Sequence, residues 1–246
     1  MAYAPASVPR VLFVYAFTCV AVFGATRLEP VPVIGEYVHL LVAAVFLLTA
    51  IHMAQGDNTH FGISLGGLLD PSDDDRSPGP LGLWDLGRAL LGALPSAVRE
   101  IGAAMAVAAV IFPLYALAYS WWHAPAEPFA LTLPPALAST VLAQLVIVAL
   151  PEEAFFRGFL QTALSDAEPR RIRLLGVELA PLAWVAQAVL FALVHLISEP
   201  HPARLAVLLP GLLFGWVRAW RGGVGAALTH HAMSNLYSEI LARSWL

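Results

Sequence analysis

The sequence predicts an all-α fold, a polytopic membrane helical bundle of about seven transmembrane helices plus one interfacial amphipathic helix. Three observations predict it. Of 246 residues, 59% are hydrophobic and only 12% charged, where soluble domains carry about 25% charged residues. Mean hydropathy is +0.73. Apolar runs near the ~20 residues needed to span a bilayer recur along the chain, and the charges fall between them or near their ends, with one exception at 152–157. No long polar segment could fold separately, so 1–246 reads as a single membrane domain.

Each expected element follows from the pattern of apolar runs and breakers. Arg10 precedes an apolar run from Val11 to Thr26, closed by Arg27, Glu29 and two prolines. That run is short enough for a signal peptide, but no clean small-residue cleavage site follows it. A second span covers Val33 to Ala54. From Gln55 to Arg99 comes the longest non-spanning part, with an acidic loop (Asp70 to Arg76) read as solvated. Within it, Leu83 to Val98 mixes Trp84, Leu90, Leu91 and Leu94 with Asp85 and Arg88, which suits a helix lying in the interface. A third span runs from Ile101 to Trp121, with Trp121 and Trp122 placed like an aromatic belt. The fourth starts near Pro135 and continues to about Leu164. A basic loop follows, Pro169-Arg170-Arg171-Ile172-Arg173. Ala180 to Ile197, Ala203 to Trp220 and Gly222 to about Ala242 complete the seven. In the sixth, Gly211 and Gly215 form a GxxxG pattern, read as helix packing. Residues 1–133 thus hold the N-terminal spans, cytoplasmic loop and interfacial helix, and 134–246 the candidate catalytic core.

Composition also excludes functions. The net charge of −4 and the lack of a dense basic patch argue against nucleic acid as a partner. Cys19 is the only cysteine, which removes intrachain disulfides and cysteine-ligated metal sites. All 13 basic side chains are arginine. With the abundant Ala, Leu, Pro and Gly, this points to a GC-rich bacterial genome and the bacterial cytoplasmic (inner) membrane. Seven spans place nine arginines (10, 76, 88, 99, 170, 171, 173, 218 and 221) on the N-terminal side and three (27, 204 and 243) on the other. The positive-inside rule then puts the N-terminus in the cytoplasm.

The exception is Leu150-Pro151-Glu152-Glu153-Ala154-Phe155-Phe156-Arg157-Gly158, inside the fourth span. A charge at the bilayer centre costs about 2.5–3.5 kcal/mol on insertion scales, so three such residues must face protein or a wet cavity. Glu153 and Arg157 lie one turn apart and can pair. Glu152 points about 100° away, towards a cavity. Pro151 deprives the carbonyl of Ile147 of its donor and should kink the helix. The competing reading is an ion network that only locks helices together. The fifth span carries Phe191-Ala192-Leu193-Val194-His195, and the seventh His231-Ala232-Met233-Ser234-Asn235 with His230 alongside. At ~1.5 Å per residue, Glu152 lies about 18 Å from the cytoplasmic end of its helix, His195 about 22, His231 about 14 and Asn235 about 20. Three helices therefore deliver polar groups to one layer, which independent structural residues have no reason to do.

These three motifs, Glu152-Glu153-x-x-x-Arg157, Phe191-x-x-x-His195 and His231-x-x-x-Asn235, resemble in kind and order those of the CPBP (Abi) family. That family comprises CAAX prenyl endopeptidases and bacteriocin-processing-like proteins. The likeness covers roughly Pro134 to Ile240, and of the family's members the myxosortase-like branch, which trims C-terminal tails of bacterial surface proteins, fits the GC-rich bacterial genome type best. It implies an intramembrane glutamic endopeptidase acting, in the bilayer, on a protein or peptide with a C-terminal processing signal. On that reading Glu152 deprotonates a water that His195 shares, Glu153 and Arg157 pair, and His231 and Asn235 stabilise the oxyanion. The roles of the two glutamates are interchangeable on sequence alone. No cofactor is required. Zinc held by Glu152, His195 and His231 is the alternative, since these are competent ligands, but Arg157 nearby opposes a cation. Gly62-Ile63-Ser64-Leu65-Gly66 matches the G-x-S-x-G string of serine hydrolases without its strand-turn-helix context, and reads as a turn. From another class, a non-proteolytic transporter or adaptor could use the same midplane cluster. Oligomeric state is not legible.

Overall fold

The computed structural model describes residues 7–69 and 83–245. The acidic loop Asp70 to Arg76 lies outside these. Seven long helices follow one another among the described residues. They are α1 (Val8–Thr26), α2 (Val38–Ala54), α3 (Leu83–His123), α4 (Leu137–Ala167), α5 (Pro181–Ser198), α6 (Leu208–Arg221) and α7 (Gly225–Ser244). Local chemistry sets several of their ends. Prolines occupy the first turns of α1 and α5, where a missing amide hydrogen costs nothing. Gly222, in the left-handed region at φ 75°, closes α6. The first turn of α5 donates Leu182 N and Ala183 N to the Glu168 carboxylate at 3.2 and 2.9 Å, a negative group at a positive helix end.

Six helices are long and apolar enough to cross a membrane, namely α1 to α5 and the segment Pro202–Arg221 containing α6. The expected seventh span forms as α7 but is not among them. Its His230, His231, Ser234, Asn235, Ser238 and Glu239 reduce its apolarity. α7 packs against α3, α6 and α4, so protein meets much of its polar surface. A second expectation is corrected. No separate interfacial helix exists over 83–98, because this segment is the start of a continuous 41-residue α3. Amphipathicity shows which face of a helix is wet, not where its axis ends, and Pro95 and Pro113 are both accommodated inside α3. At ~1.5 Å per residue α3 is about 61 Å long, twice a ~30 Å hydrocarbon core. Glu100 bonds Arg221, the last residue of α6, at 2.7 Å, so the part of α3 before Glu100 extends past that end of α6.

The basic loop also holds structure that the sequence reading omitted. Ile172–Leu174 pairs antiparallel with Val177–Leu179, Ile172 opposite Leu179. Leu175 and Gly176 join them at φ 51° and 83°, the positive values that a two-residue hairpin turn demands.

The main core joins α1, α2, α4 and α5 with Phe61 and Ile63 of the α2–α3 connection. Phe155, Phe156 and Phe159 of α4 are fully buried within it. Gly158 is obligatory, since a Cβ there would lie 2.4 Å from Ile63 Cγ2. The GxxxG of α6 packs on α5 and α4. A Cβ on Gly211 would meet Ala188 and Phe191 at 3.3 Å, and one on Gly215 would meet Gln187 Nε2 at 2.4 Å. Bare glycines also open the α6 backbone to donors: Gln187 Nε2 bonds the Gly211 carbonyl at 3.0 Å and Gln161 Nε2 that of Gly215 at 2.9 Å. Overpacking typically costs about 1–3 kcal/mol. Gly158→Val should therefore lower the melting temperature in detergent by several degrees. Gly102→Ala, with nothing within 4 Å of the added carbon, should leave it unchanged or raise it.

Candidate active site

α4 handles Pro151 by widening its turns. Gln144–Ala149 and Ala154–Leu160 are π-helical, on either side of an α-helical turn Leu150–Glu153. A π turn bonds i to i+5, so a proline that cannot donate to i−4 is absorbed where the ladder is already offset. Such insertions are frequent at functional sites. The turn between them carries both carboxylates.

Glu153 and Arg157 have no exposed surface, and Arg157 Nη1 donates to Glu153 Oε1 at 2.9 Å. The guanidinium also reaches the Gly211 carbonyl at 3.4 Å and lies 4.2, 5.2 and 5.9 Å from the ring centres of Phe191, Phe214 and Phe156. These π faces attract a cation that has left water. His231 of α7 binds the same carboxylate oxygen, with Nδ1 to Glu153 Oε1 at 2.8 Å. A carboxylate only accepts, so Nδ1 carries the hydrogen. The ring is held by stacking on Phe214 at 4.8 Å. Its Nε2 then lies 3.8 Å from Glu152 Oε2.

Glu152 faces elsewhere. It lines a cavity of about 330 Å³ together with His195, between apolar walls that include Val42, Phe46, Val148 and Val194. Glu152 Oε2 is buried and has no hydrogen-bond partner among the described residues. His195 Nδ1 donates to the Phe191 carbonyl at 2.9 Å, which leaves Nε2 as the free nitrogen. Glu29, Glu199 and Arg204 from the α1–α2 and α5–α6 connections and His39 from the first turn of α2 line the same cavity, at the end of the bundle away from the N-terminus.

The structure thus joins Glu152 and His195 in one cavity, and ties Glu152, Glu153, Arg157 and His231 through a short chain of contacts. Asn235 stands apart from that cavity's lining. Its Nδ2 donates to Gln144 Oε1 on α4 at 2.9 Å. His230 turns away from the cluster, fully buried against Phe112 and Phe214 with ring centres 5.6 and 5.9 Å apart. Sequence reasoning missed Gln144, eight residues before Glu152. In a regular helix that offset is about 80°, and nothing in the local pattern announces the π turns. It also missed the Phe191–Phe214 cage, since a phenylalanine in an apolar helix looks like any core residue.

Among the described residues, no group of three His, Cys, Asp or Glu side chains is arranged to hold a metal ion. The G-x-S-x-G string lies in the α2–α3 connection. Its Gly62 has φ +65°, and a Cβ there would lie 2.7 Å from an Arg218 guanidinium nitrogen, so its glycine serves close packing.

Residues 134–237 match a protein-family model, described as type II CAAX prenyl endopeptidase Rce1-like. The matched segment contains all six residues singled out above. No curated protein and no solved structure matches the chain. The family is one of proteases that act on protein substrates within a membrane, which agrees with the six apolar helices. Residues 134–237 are thus similar to the CPBP/CAAX protease family, and the six apolar helices point to a multi-pass membrane protein.

Proposed function

We propose that this protein is a glutamic-type intramembrane endopeptidase in which Glu152 and His195 activate the water that hydrolyses a peptide bond near the C-terminal tail of its substrate. One observation carries the choice of base. Glu153 Oε1 is committed to both Arg157 and His231 and Glu153 is absent from the cavity lining, whereas Glu152 lines the cavity together with His195.

In this mechanism a water binds between Glu152 Oε2 and His195 Nε2. Glu152 takes one proton as the water oxygen attacks the scissile carbonyl carbon. Asn235 supplies a neutral N–H to the oxyanion. His231 can do so only as imidazolium, because its Nδ1–H is engaged by Glu153. The C–N bond breaks as the proton on Glu152 passes to the leaving nitrogen, and Glu152 returns to its carboxylate form. General acid–base catalysis of this kind contributes about 10²–10⁴-fold. The roles need no metal, and Arg157 beside the carboxylates disfavours zinc at Glu152, His195 and His231.

The substrate class we propose is a membrane-held protein with a CAAX-like or sorting-signal C-terminal tail. Nine arginines against three favour a bacterial inner-membrane topology with the N-terminus in the cytoplasm, as in the myxosortase-like reading. The cavity mouth would then open on the non-cytoplasmic side.

Co-expression with tail-bearing substrates tests the activity. Wild type should cut, Glu152→Ala and His195→Ala should each lose at least about a hundredfold in kcat, and chelators should leave wild type unchanged. Tail cleavage persisting in both variants refutes these roles. Solute movement without any cleavage selects a transporter instead. In a Cys19→Ser background, Glu29→Cys should react with a membrane-impermeant maleimide on intact cells, while Leu175→Cys in the hairpin should not. The opposite labelling reverses the topology.

A further inference from the structure

We propose that Gln144 is a positioning residue for this reaction, orienting the Asn235 amide so that its nitrogen presents a hydrogen to the oxyanion. The proposal rests on the endopeptidase reading above.

An asparagine side chain ends in a carbonyl oxygen and an NH₂ group of nearly the same shape, so its helix does not decide which end faces the reaction. Only the nitrogen can stabilise an oxyanion. Asn235 lies one turn beyond His231 on α7, on the face that presents His231 to the carboxylates of α4. Gln144 Oε1 accepts from Asn235 Nδ2 at 2.9 Å. In that bond the amide nitrogen of Asn235 faces α4 and its oxygen points away. One N–H is consumed in the bond, and the second leaves the same nitrogen in another direction. Both residues are partly exposed, so a substrate can approach the pair.

Gln144 also belongs to the catalytic helix. It opens the π segment Gln144–Ala149, and further along α4 come Val148 and Glu152, both in the cavity wall. The base and the positioning amide are therefore carried by one helix, and α7 brings Asn235 to it. A shift of α7 relative to α4 would move the oxyanion donor away from the base and break the Asn235–Gln144 hydrogen bond.

A bond that only fastened α4 to α7 would show in stability rather than in turnover. Cleavage by wild type, Gln144→Met, Gln144→Glu, Asn235→Ala and the Gln144→Met/Asn235→Ala double variant, with melting temperatures in detergent, separates the two. Gln144→Met removes the acceptor at similar volume. It should lower kcat about tenfold to a hundredfold, below the 10²–10³-fold loss typical of removing an oxyanion donor outright, with KM within twofold. Gln144→Glu keeps an acceptor oxygen and should restore kcat to within about threefold of wild type. In the Asn235→Ala background, Gln144→Met should cost nothing further, because residues acting through one another are non-additive. Unchanged kcat in Gln144→Met, a loss confined to KM or melting temperature, or an equal loss in the Asn235→Ala background overturns the proposal while wild-type cleavage leaves the endopeptidase reading standing. A wild type that cleaves no substrate overturns that reading, and this proposal with it.

Discussion

A guanidinium without water governs the architecture of the C-terminal half. Arg157 is fully buried and cannot relinquish its charge in a protein. Removing one partner from a buried ion pair typically costs about 3–5 kcal/mol, because the other charge is left uncompensated. Every neighbour is arranged to prevent that. Glu153 supplies the counter-charge one turn away, the Gly211 carbonyl takes a second N–H, and Phe191, Phe214 and Phe156 surround the cation with π faces. Gly211 and Gly215 bring α6 close enough for its backbone to take part. The apolar bundle is closed around an ionic knot, and the knot fixes how α4, α5, α6 and α7 meet.

That commitment releases the neighbouring carboxylate. Two adjacent glutamates on a helix diverge by about 100°, so Glu153 turns to Arg157 and His231 while Glu152 turns to the cavity. His231 links the two, bonding Glu153 through one ring nitrogen and standing 3.8 Å from Glu152 with the other. The charge balance around Arg157 is thus felt at Glu152 without Glu152 being spent on it. The π turns flanking Leu150–Glu153 let this face be presented despite Pro151.

Much of this was legible in the residues because a membrane makes charge conspicuous. Glu152, Glu153 and Arg157 stood out against an apolar run, and the i, i+4 spacing of Glu153 and Arg157 is that of the observed bond. Apolar run lengths located six helices that qualify as spans, and α7 formed where expected while being too polar to count with them. Three things were not legible. The continuity of α3 was hidden because an amphipathic stretch does not say whether it bends away. The hairpin at 172–179 was hidden because its strands are three residues long and lie in a charged loop. Gln144 was hidden because its relation to Asn235 depends on helix widening and on the placement of α7, neither of which a local pattern encodes. A common depth for Glu152, His195, His231 and Asn235 did not imply a common pocket. Glu152 and His195 share one, and Asn235 meets α4 at Gln144 instead.

The central claim is a division of labour between two adjacent carboxylates, and replacing each by its amide tests it most directly. Cleavage rate and melting temperature would be measured on Glu152→Gln and Glu153→Gln side by side. Glu152→Gln should melt like wild type and not cleave, whereas Glu153→Gln should melt well below it because Arg157 loses its counter-charge. A Glu152→Gln protein that still cleaves, or a Glu153→Gln protein as stable as wild type, would contradict that claim.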